Sequence, residues 1–176
     1  AVNNLFGEQR LYRKRDMKSV MKEIDVLVND YGFKKIKIID DLFVTQHPRI
    51  EEFCNLLEER NYNLNMWCFS RIDTVSERLL NRLKKVGMNW VAYGFESVSQ
   101  EILDQAKKRS EFSMYHSSIS MTRNAGISIC ADVIAGLPDD NYESMNKTYQ
   151  FCVENNFEWV NIYPAFAYPG TPFYDY

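Results

Sequence analysis

Polar and charged residues stand in this 176-residue sequence at the points where short apolar segments end. The residues with this placement are Asp40, Asp41, Arg71, Glu96, Ser97, Gly136 and Tyr168, and Asp132 lies inside the fourth segment. If the apolar segments are parallel strands, these residues gather at the carboxyl edge of one sheet, where α/β proteins bind ligands. Their carboxylates are also able to act as general acid, general base or Mg²⁺ ligands.

Each of these residues also has a purely structural interpretation. Asp40 and Asp41 follow a strand and are good helix caps, and Ser97 is a cap as readily as a ligand. Arg71 fits a structural ion pair, and Gly136 fits an ordinary turn. The residue types alone therefore leave both interpretations open.

Other motifs that carry chemistry are absent from the sequence. The four cysteines are scattered without a CxxC pair, and the two histidines lie in different segments, which argues against a zinc site. GxGxxG, GxxxxGK and GxSxG do not occur. We expect reduced, buried thiols in a cytoplasmic protein.

Charge and hydropathy exclude two kinds of partner. The net charge of −3 argues against binding to nucleic acid or to an anionic membrane surface through bulk charge. No apolar run approaches the length of a membrane span, and the first residues lack the apolar region of a signal peptide.

Strand-like and helix-like segments alternate along the whole chain. The sequence predicts five strands over residues 34–40, 65–70, 90–95, 127–137 and 159–165, each joined to the next by a helix. This order predicts parallel pairing with right-handed crossovers in a single α/β domain over residues 1–176.

Side-chain alternation assigns faces to the two central strands. Val91, Tyr93 and Phe95 should pack under helices, which leaves Ala92, Gly94 and Glu96 on the opposite, inner face. This face of small residues leads up to one carboxylate and suits a closely approaching ligand. Asp132 falls on the same inner face, and Arg71 is its expected partner, because an unpaired charge there would be costly.

The segments IDDLF, SRID, GFES, IAGLP and YPGTP, in this order and spacing, resemble the radical S-adenosylmethionine (radical SAM) superfamily. The resemblance extends over nearly the whole chain. It is strongest to the branch with an upstream cobalamin-binding domain, which includes the anaerobic magnesium-protoporphyrin ester cyclase and radical methyltransferases. It implies an α/β fold, a partial (β/α)6 TIM-like barrel. It also implies an enzyme in which a [4Fe-4S] cluster reductively cleaves SAM to a 5′-deoxyadenosyl radical.

The resemblance also implies residue roles. Asp40 and Asp41 lie where the family binds the methionyl amino group, and Arg71 is placed to meet the SAM carboxylate. Glu96, with Ser97 beside it, lies where the ribose hydroxyls are held. The remaining residues of the expected cofactor surface are Asp132, Ile134 and Gly136, the last two on the adenine side, and Tyr168, which would close the adenine end.

The sequence departs from the family pattern at one point. CxxxCxxC is absent, and residues 1–15 resemble the segment that follows the third cluster cysteine. We therefore expect the chain to lack the first barrel strand and the cluster loop, and to bind neither the cluster nor SAM appreciably on its own. Cobalamin would belong to another domain, and the small-molecule substrate is unknown.

Two alternative functions and one assembly stay open. A complete small βα enzyme would use the strand-end carboxylates with Mg²⁺, and a barrel-derived scaffold would have no catalytic role. An edge strand over Lys34–Asp40 would expose unpaired backbone groups and favour a homodimer.

Overall fold

The computed structural model describes residues 14–40, 42–106, 108, 110–171 and 173–174. In this part of the chain a parallel sheet contains β1 (Lys35–Ile38), β2 (Asn65–Ser70), β3 (Met88–Glu96), β4 (Ser128–Ala135) and β5 (Trp159–Pro164). The helices are α1 (Met17–Asn29), α2 (His47–Arg60), α3 (Glu77–Lys85), α4 (Gln100–Gln105), α5 (Tyr115–Asn124) and α6 (Tyr142–Asn155). A 3₁₀ turn over Phe112–Met114 precedes α5.

The strands lie in the sheet in their sequence order, β1 to β5, and each pairs with its neighbour in parallel. The sheet curls into a half-barrel with helices packed against one face. The predicted fold class and the five parallel strands are confirmed. The predicted extent 1–176 of a single domain stays a prediction.

Strand ends differ from prediction by a few residues, for local reasons. The fourth strand ends at Ala135 rather than at residue 137, because Gly136 has φ +83° and leaves the extended region. The first strand covers only four residues, Lys35–Ile38, of the predicted seven.

Side-chain caps fix the starts of three helices. The carboxylate of Asp16 accepts a hydrogen bond from the Ser19 amide, as its position predicts, and the Ser76 hydroxyl does the same for Leu79. Asn141 caps α6. Serine favours helix starts, so the sequence predicts one at Ser110, but α5 begins at Tyr115, after the 3₁₀ turn.

The core lies between the sheet and its helices, and the central strand supplies much of it. Val91, Tyr93 and Phe95 are fully buried, which confirms the predicted helix-facing side of β3. The Phe95 ring contacts the rings of Tyr115 and Phe151 at centroid distances of 4.9 and 5.5 Å. Both contacts are edge-to-face, a favourable geometry for aromatic pairs.

All four cysteines are free and buried, as predicted. They are distributed over α2, β2, β4 and α6. Burial raises the pKa of the Cys54, Cys68 and Cys130 thiols to about 12. At neutral pH these groups are therefore protonated and are poor nucleophiles and poor metal ligands. No helix in the described residues is long and apolar enough to cross a membrane.

Truncating the central aromatic side chain tests this core. We expect Phe95→Ala to lower the free energy of unfolding by about 3–5 kcal/mol, because it leaves a cavity where several rings meet. Urea denaturation followed by circular dichroism measures the change. Phe166→Ala is the matched control, since that ring is 67% exposed and its loss should cost little. Equal effects of the two substitutions would contradict the arrangement of the core.

Candidate functional site

The carboxyl end of β3 has an irregular backbone. The pairing of β3 with β4 shifts register between Gly94 and Glu96, and Glu96 adopts φ +61°. A glutamate in the left-handed region is uncommon and costs conformational energy, and such strained residues concentrate at functional sites. The Glu96 side chain lies beside Gly94 on the inner face, whereas Ser97 is buried on the opposite, helix-facing side.

Glu96 forms an ion pair with Lys108, which lies in the loop after α4. The Lys108 ammonium also donates a hydrogen bond to the carbonyl oxygen of Gly94. The two side chains are only 17% and 24% exposed, for Lys108 and Glu96 respectively, so both charges are largely withdrawn from water. This ammonium is therefore fixed against both the carboxylate and the backbone of β3.

The absence of a side chain at Gly94 makes room for this ion pair. A Cβ atom built there would lie 2.7 Å from Glu96 Oε1 and 3.0 Å from Lys108 Nζ. Glycine is thus required here for close approach of charged groups. The small-residue inner face predicted from the sequence has this physical role.

Arg71 follows β2 and holds Asp73 through two hydrogen bonds, of 2.8 Å from Nε and 2.6 Å from Nη2. The hydrogen bond from Arg71 lowers the pKa of Asp73, and the positive charge of Lys108 contributes in the same direction. Two carboxylates and two cations thus lie together near the ends of β2 and β3. We call this group, which consists of Arg71, Asp73, Glu96 and Lys108, the ionic cluster.

The expected pairing of Arg71 with Asp132 is wrong. Asp132 lies in the middle of β4 and accepts a hydrogen bond of 2.8 Å from the side-chain amide of Asn161 on β5. Asn161 is in turn oriented by the indole N–H of Trp159, at 2.8 Å from its Oδ1. The hydrogen bond from the Asn161 amide therefore offsets the energetic cost of placing Asp132 on the inner face. Arg71 instead binds Asp73, which lies two residues away in its own loop.

The other predicted site residues fall into two groups. Asp40 accepts a hydrogen bond of 3.2 Å from the Leu42 amide, and Asp41 lies outside the described residues. The Ser97 hydroxyl is buried against Thr148 and accepts from the Ser99 amide, which supports the backbone after the bulge. Ser97 is thus placed for the structural role that the sequence left open.

The residues predicted on the adenine side are more accessible. Ile134 is half-buried beside β5, and the Gly136 amide donates to the Asp140 carboxylate at 3.0 Å, within a turn. Tyr168 is 68% exposed, and its carbonyl oxygen accepts from the Thr171 hydroxyl at 2.7 Å. The ligand-binding roles of these residues remain predictions.

Lys108 and Asn161 are the site residues that the sequence did not single out. Asp73 was visible as the acid in SRID, two residues after Arg71. Lys108 stands in a run of basic residues, KKR, where nothing marks one position above its neighbours. Only the path of the chain after α4 selects it.

The donor set does not fit a metal centre built by this chain. Within the described residues no group of three or more His, Cys, Asp or Glu side chains is placed to hold a metal ion. Of the carboxylates considered for Mg²⁺, Glu96 is paired with Lys108, and Asp132 accepts a hydrogen bond from Asn161. The four buried cysteines lie on four separate elements and do not fit a [4Fe-4S] cluster.

A parallel half-barrel with charged groups at the carboxyl ends of its strands has the architecture of a barrel enzyme's ligand-binding half. The model of the radical SAM superfamily matches residues 4–152, and the chain belongs to this superfamily. The family predicted from the five motifs is confirmed.

Two curated relatives place the chain more closely. An uncharacterized methyltransferase of Pyrococcus horikoshii is 25% identical over 171 residues, covering 97% of this chain and 37% of the relative. The anaerobic magnesium-protoporphyrin IX monomethyl ester cyclase of Rubrivivax gelatinosus is 28% identical over 154 residues, covering 86% and 28%. The chain therefore spans about a third of the length of these relatives.

Solved structures share the fold. The radical SAM methyltransferase TsrM from Kitasatospora setae, with cobalamin and a [4Fe-4S] cluster bound, superposes with a TM-score of 0.76 at 18% identity. The match covers 91% of this chain and 33% of TsrM. The cobalamin-dependent radical SAM enzyme OxsB gives a TM-score of 0.70 at 15% identity, covering 79% of this chain and 22% of OxsB.

Removing the guanidinium tests the electrostatics of the ionic cluster. We expect Arg71→Gln to return the pKa of Asp73 toward the ordinary value of 3.8, measured by NMR titration of the side-chain carboxyl carbon. Because the pKa is lowered in the folded state, the pair stabilises the fold above pH 3.8. This contribution disappears as the pH falls below 3.8 toward the folded-state pKa of Asp73.

The difference in unfolding free energy between the unsubstituted protein and Arg71→Gln should therefore be constant near neutral pH and become smaller in acid. Arg49→Gln is the control, because Arg49 is not part of the ionic cluster. An unchanged pKa of Asp73 in Arg71→Gln would contradict the pairing.

Proposed function

We propose that this chain forms the SAM-binding wall of a radical SAM enzyme, and that the ionic cluster holds the cofactor's polar groups. The observation that supports the proposal is the set of opposite charges at the ends of β2 and β3, two cations and two carboxylates, largely shielded from water. The methionyl part of SAM is a zwitterion and the ribose carries two hydroxyls, so SAM needs groups of both kinds.

Chemistry assigns the roles within the cluster. Lys108 and Arg71 are the groups able to bind the SAM carboxylate through charge-assisted hydrogen bonds. Glu96 is able to accept from both ribose hydroxyls, and Asp73 or Asp40 from the ammonium group. When SAM binds, Lys108 would pair with its carboxylate and Glu96 with its ribose hydroxyls. Both charges of the former ion pair would therefore keep a partner.

The inner face next to Glu96 supplies the rest of the proposed site. Ala92 carries only a methyl group, and the space beside Gly94 is filled by the Glu96–Lys108 ion pair, which SAM would meet there. Asp132 would bind a polar edge of the cofactor while it stays oriented by Asn161. Ile134, Gly136 and Tyr168 would line the adenine side, where exposed aromatic and apolar surface favours stacking of a planar base.

In this family, bound SAM supplies a 5′-deoxyadenosyl radical after reductive cleavage at a [4Fe-4S] cluster. This chain's own residues bind and orient SAM. Because its cysteines do not fit the cluster, the proposal assigns cluster binding to residues outside this sequence. Activity would then belong to the whole protein, and this part alone would be inactive.

The names of the relatives support a narrower proposal for the whole protein. They include a methyltransferase, a magnesium-protoporphyrin ester cyclase and a bacteriochlorophyllide methyltransferase. We propose a methyltransferase or cyclase that acts on an unidentified small molecule, with cobalamin held by another domain. Four free, buried thiols agree with a cytoplasmic location.

Neutralising Glu96 tests the proposed function. In the whole protein carrying its cluster, we expect Glu96→Gln to weaken SAM binding by about tenfold, because a charge-assisted contact to the ribose is lost. Formation of 5′-deoxyadenosine should fall in parallel at subsaturating SAM. Equilibrium dialysis with labelled SAM and chromatography of the products measure the two effects.

Glu101→Gln is the matched control, since that carboxylate is exposed on α4 and outside the ionic cluster. Unchanged SAM affinity in Glu96→Gln would reject the assigned role. Failure of the unsubstituted whole protein to cleave SAM would reject the proposed function itself.

We also propose that the chain self-associates through the edge over Lys34–Asp40. Within the described residues, β1 pairs with β2 only. The Asn65 amide donates to the Lys34 carbonyl oxygen at 2.7 Å, so alternation turns the backbone groups of Lys35 and Lys37 toward the open side. An uncapped edge of this kind is a template for another strand.

Lys35→Pro removes one outward N–H and spares the bonds to β2, so it should convert a dimer to a monomer. Lys34→Ala, which keeps the backbone donors, is the control and should stay dimeric. Light scattering over a range of concentrations measures the mass. A monomeric mass of the unsubstituted chain at every concentration would refute this assembly.

A further inference from the structure

All three tryptophans of the sequence line one cavity on the inner face of the sheet. Trp67 comes from β2, Trp90 from β3 and Trp159 from β5, and Cys130 and Asn161 complete the lining. Its volume is about 310 Å³. We call this space the three-tryptophan cavity. Ligand pockets begin at about this size, so it suits a molecule of one or two rings.

The cavity is separate from the ionic cluster. Trp90 stands six residues before Glu96 on the same strand. At about 3.3 Å per residue the two positions lie roughly 20 Å apart. The cavity thus occupies the amino-terminal half of the inner face and the ionic cluster its carboxyl end, and the hydrogen-bonded pair of Asp132 and Asn161 lies between them.

The indole rings in the cavity are not paired with one another. Trp67 and Trp90 are register neighbours on adjacent strands, yet among the described residues no ring contact joins any two of the three tryptophans. Trp67 contacts Phe69 instead, at 5.0 Å between centroids. Trp159 is 60% exposed, an unusual state for so large an apolar side chain. Trp90 and Trp159 have no ring partner among the described residues, so their faces are available to a planar guest.

Two polar features restrict the chemistry of that guest. The indole N–H of Trp67 is buried without an acceptor among the described residues, and such unsatisfied donors are rare in folded proteins. The Lys37 ammonium lies 3.7 Å from the centroid of the Trp67 ring and 4.9 Å from that of Phe69. The Asp132 carboxylate borders the cavity and is held by Asn161 through a hydrogen bond of 2.8 Å, so the guest's carboxylate must lie on the opposite, Lys37 side.

We propose that the three-tryptophan cavity binds a planar aromatic carboxylate whose ring carries a hydrogen-bond acceptor. The guest's ring stacks among the indole rings. The Trp67 indole turns toward the guest, and its N–H donates a hydrogen bond to the acceptor on the guest's ring. The Lys37 ammonium moves off the Trp67 ring and pairs with the guest's carboxylate. This movement exposes the face of the Trp67 ring to the guest. This inference is independent of SAM binding.

Quinoline-4-carboxylate is a suitable probe, since it has two fused rings, a ring nitrogen and a carboxylate. Every tryptophan of the chain lines the cavity, so tryptophan emission reports on this one place. We expect saturable quenching with a dissociation constant below about 1 mM, confirmed by titration calorimetry. Trp159→Ala, at an exposed edge position, should weaken binding about tenfold. Tyr142→Ala, which removes an exposed aromatic outside the cavity, should leave binding unchanged.

Two further comparisons distinguish specific binding from non-specific hydrophobic adsorption. Lys37→Met should weaken the carboxylate about fivefold and leave quinoline-4-carboxamide unaffected. Naphthalene-1-carboxylate, which lacks the ring nitrogen, should bind more weakly than the quinoline to the unsubstituted protein. Absence of saturation at several millimolar, or equal affinity in Trp159→Ala and Tyr142→Ala, would overturn the proposal.

Discussion

Burial of Val91, Tyr93 and Phe95 against the helices determines the direction of every other side chain in the central strand. These three residues are fully buried, so a slip of one residue would expose them and place charge in the core. With that face fixed, Ala92 and Gly94 must lie on the inner face. Glu96 follows beside Gly94 on that face, whereas Ser97 is buried against Thr148 on the helix side. The geometry of the site thus follows from the packing of the core.

The ionic cluster is the electrostatic consequence of that geometry. Glu96 would be an uncompensated, half-buried charge without Lys108, and the Lys108 ammonium reaches it only because Gly94 has no Cβ. Arg71 and Asp73 repeat the arrangement at the next strand end. Groups held as mutual pairs are stable without a ligand, yet each is able to exchange its partner for a group of SAM. This property links the stability of the fold to the proposed function of the site.

The inner face has two regions of different character. Its carboxyl end is ionic, whereas its amino-terminal half is aromatic, with three indoles and one ammonium. Parallel strands produce this separation because residues at similar heights on neighbouring strands meet in one band. On β3 the aromatic residue Trp90 and the ionic residue Glu96 are thus roughly 20 Å apart on one sheet surface.

The sequence by itself determined the architecture of the described chain and much of the candidate site. Strand periodicity, caps such as Asp16 and Ser76, and alternation in β3 depend on neighbours within a few residues, and all are readable locally. The five motifs predicted the family, and Glu96 stood out as the polar end of a small-residue strand. Tertiary structure alone decided which charges meet. Lys108 pairs with Glu96 across a helix and a loop, Asp132 takes Asn161 rather than Arg71, and three tryptophans far apart in sequence share one cavity. Coulomb attraction and ring packing act over a few ångströms in space, and sequence distance does not report those separations.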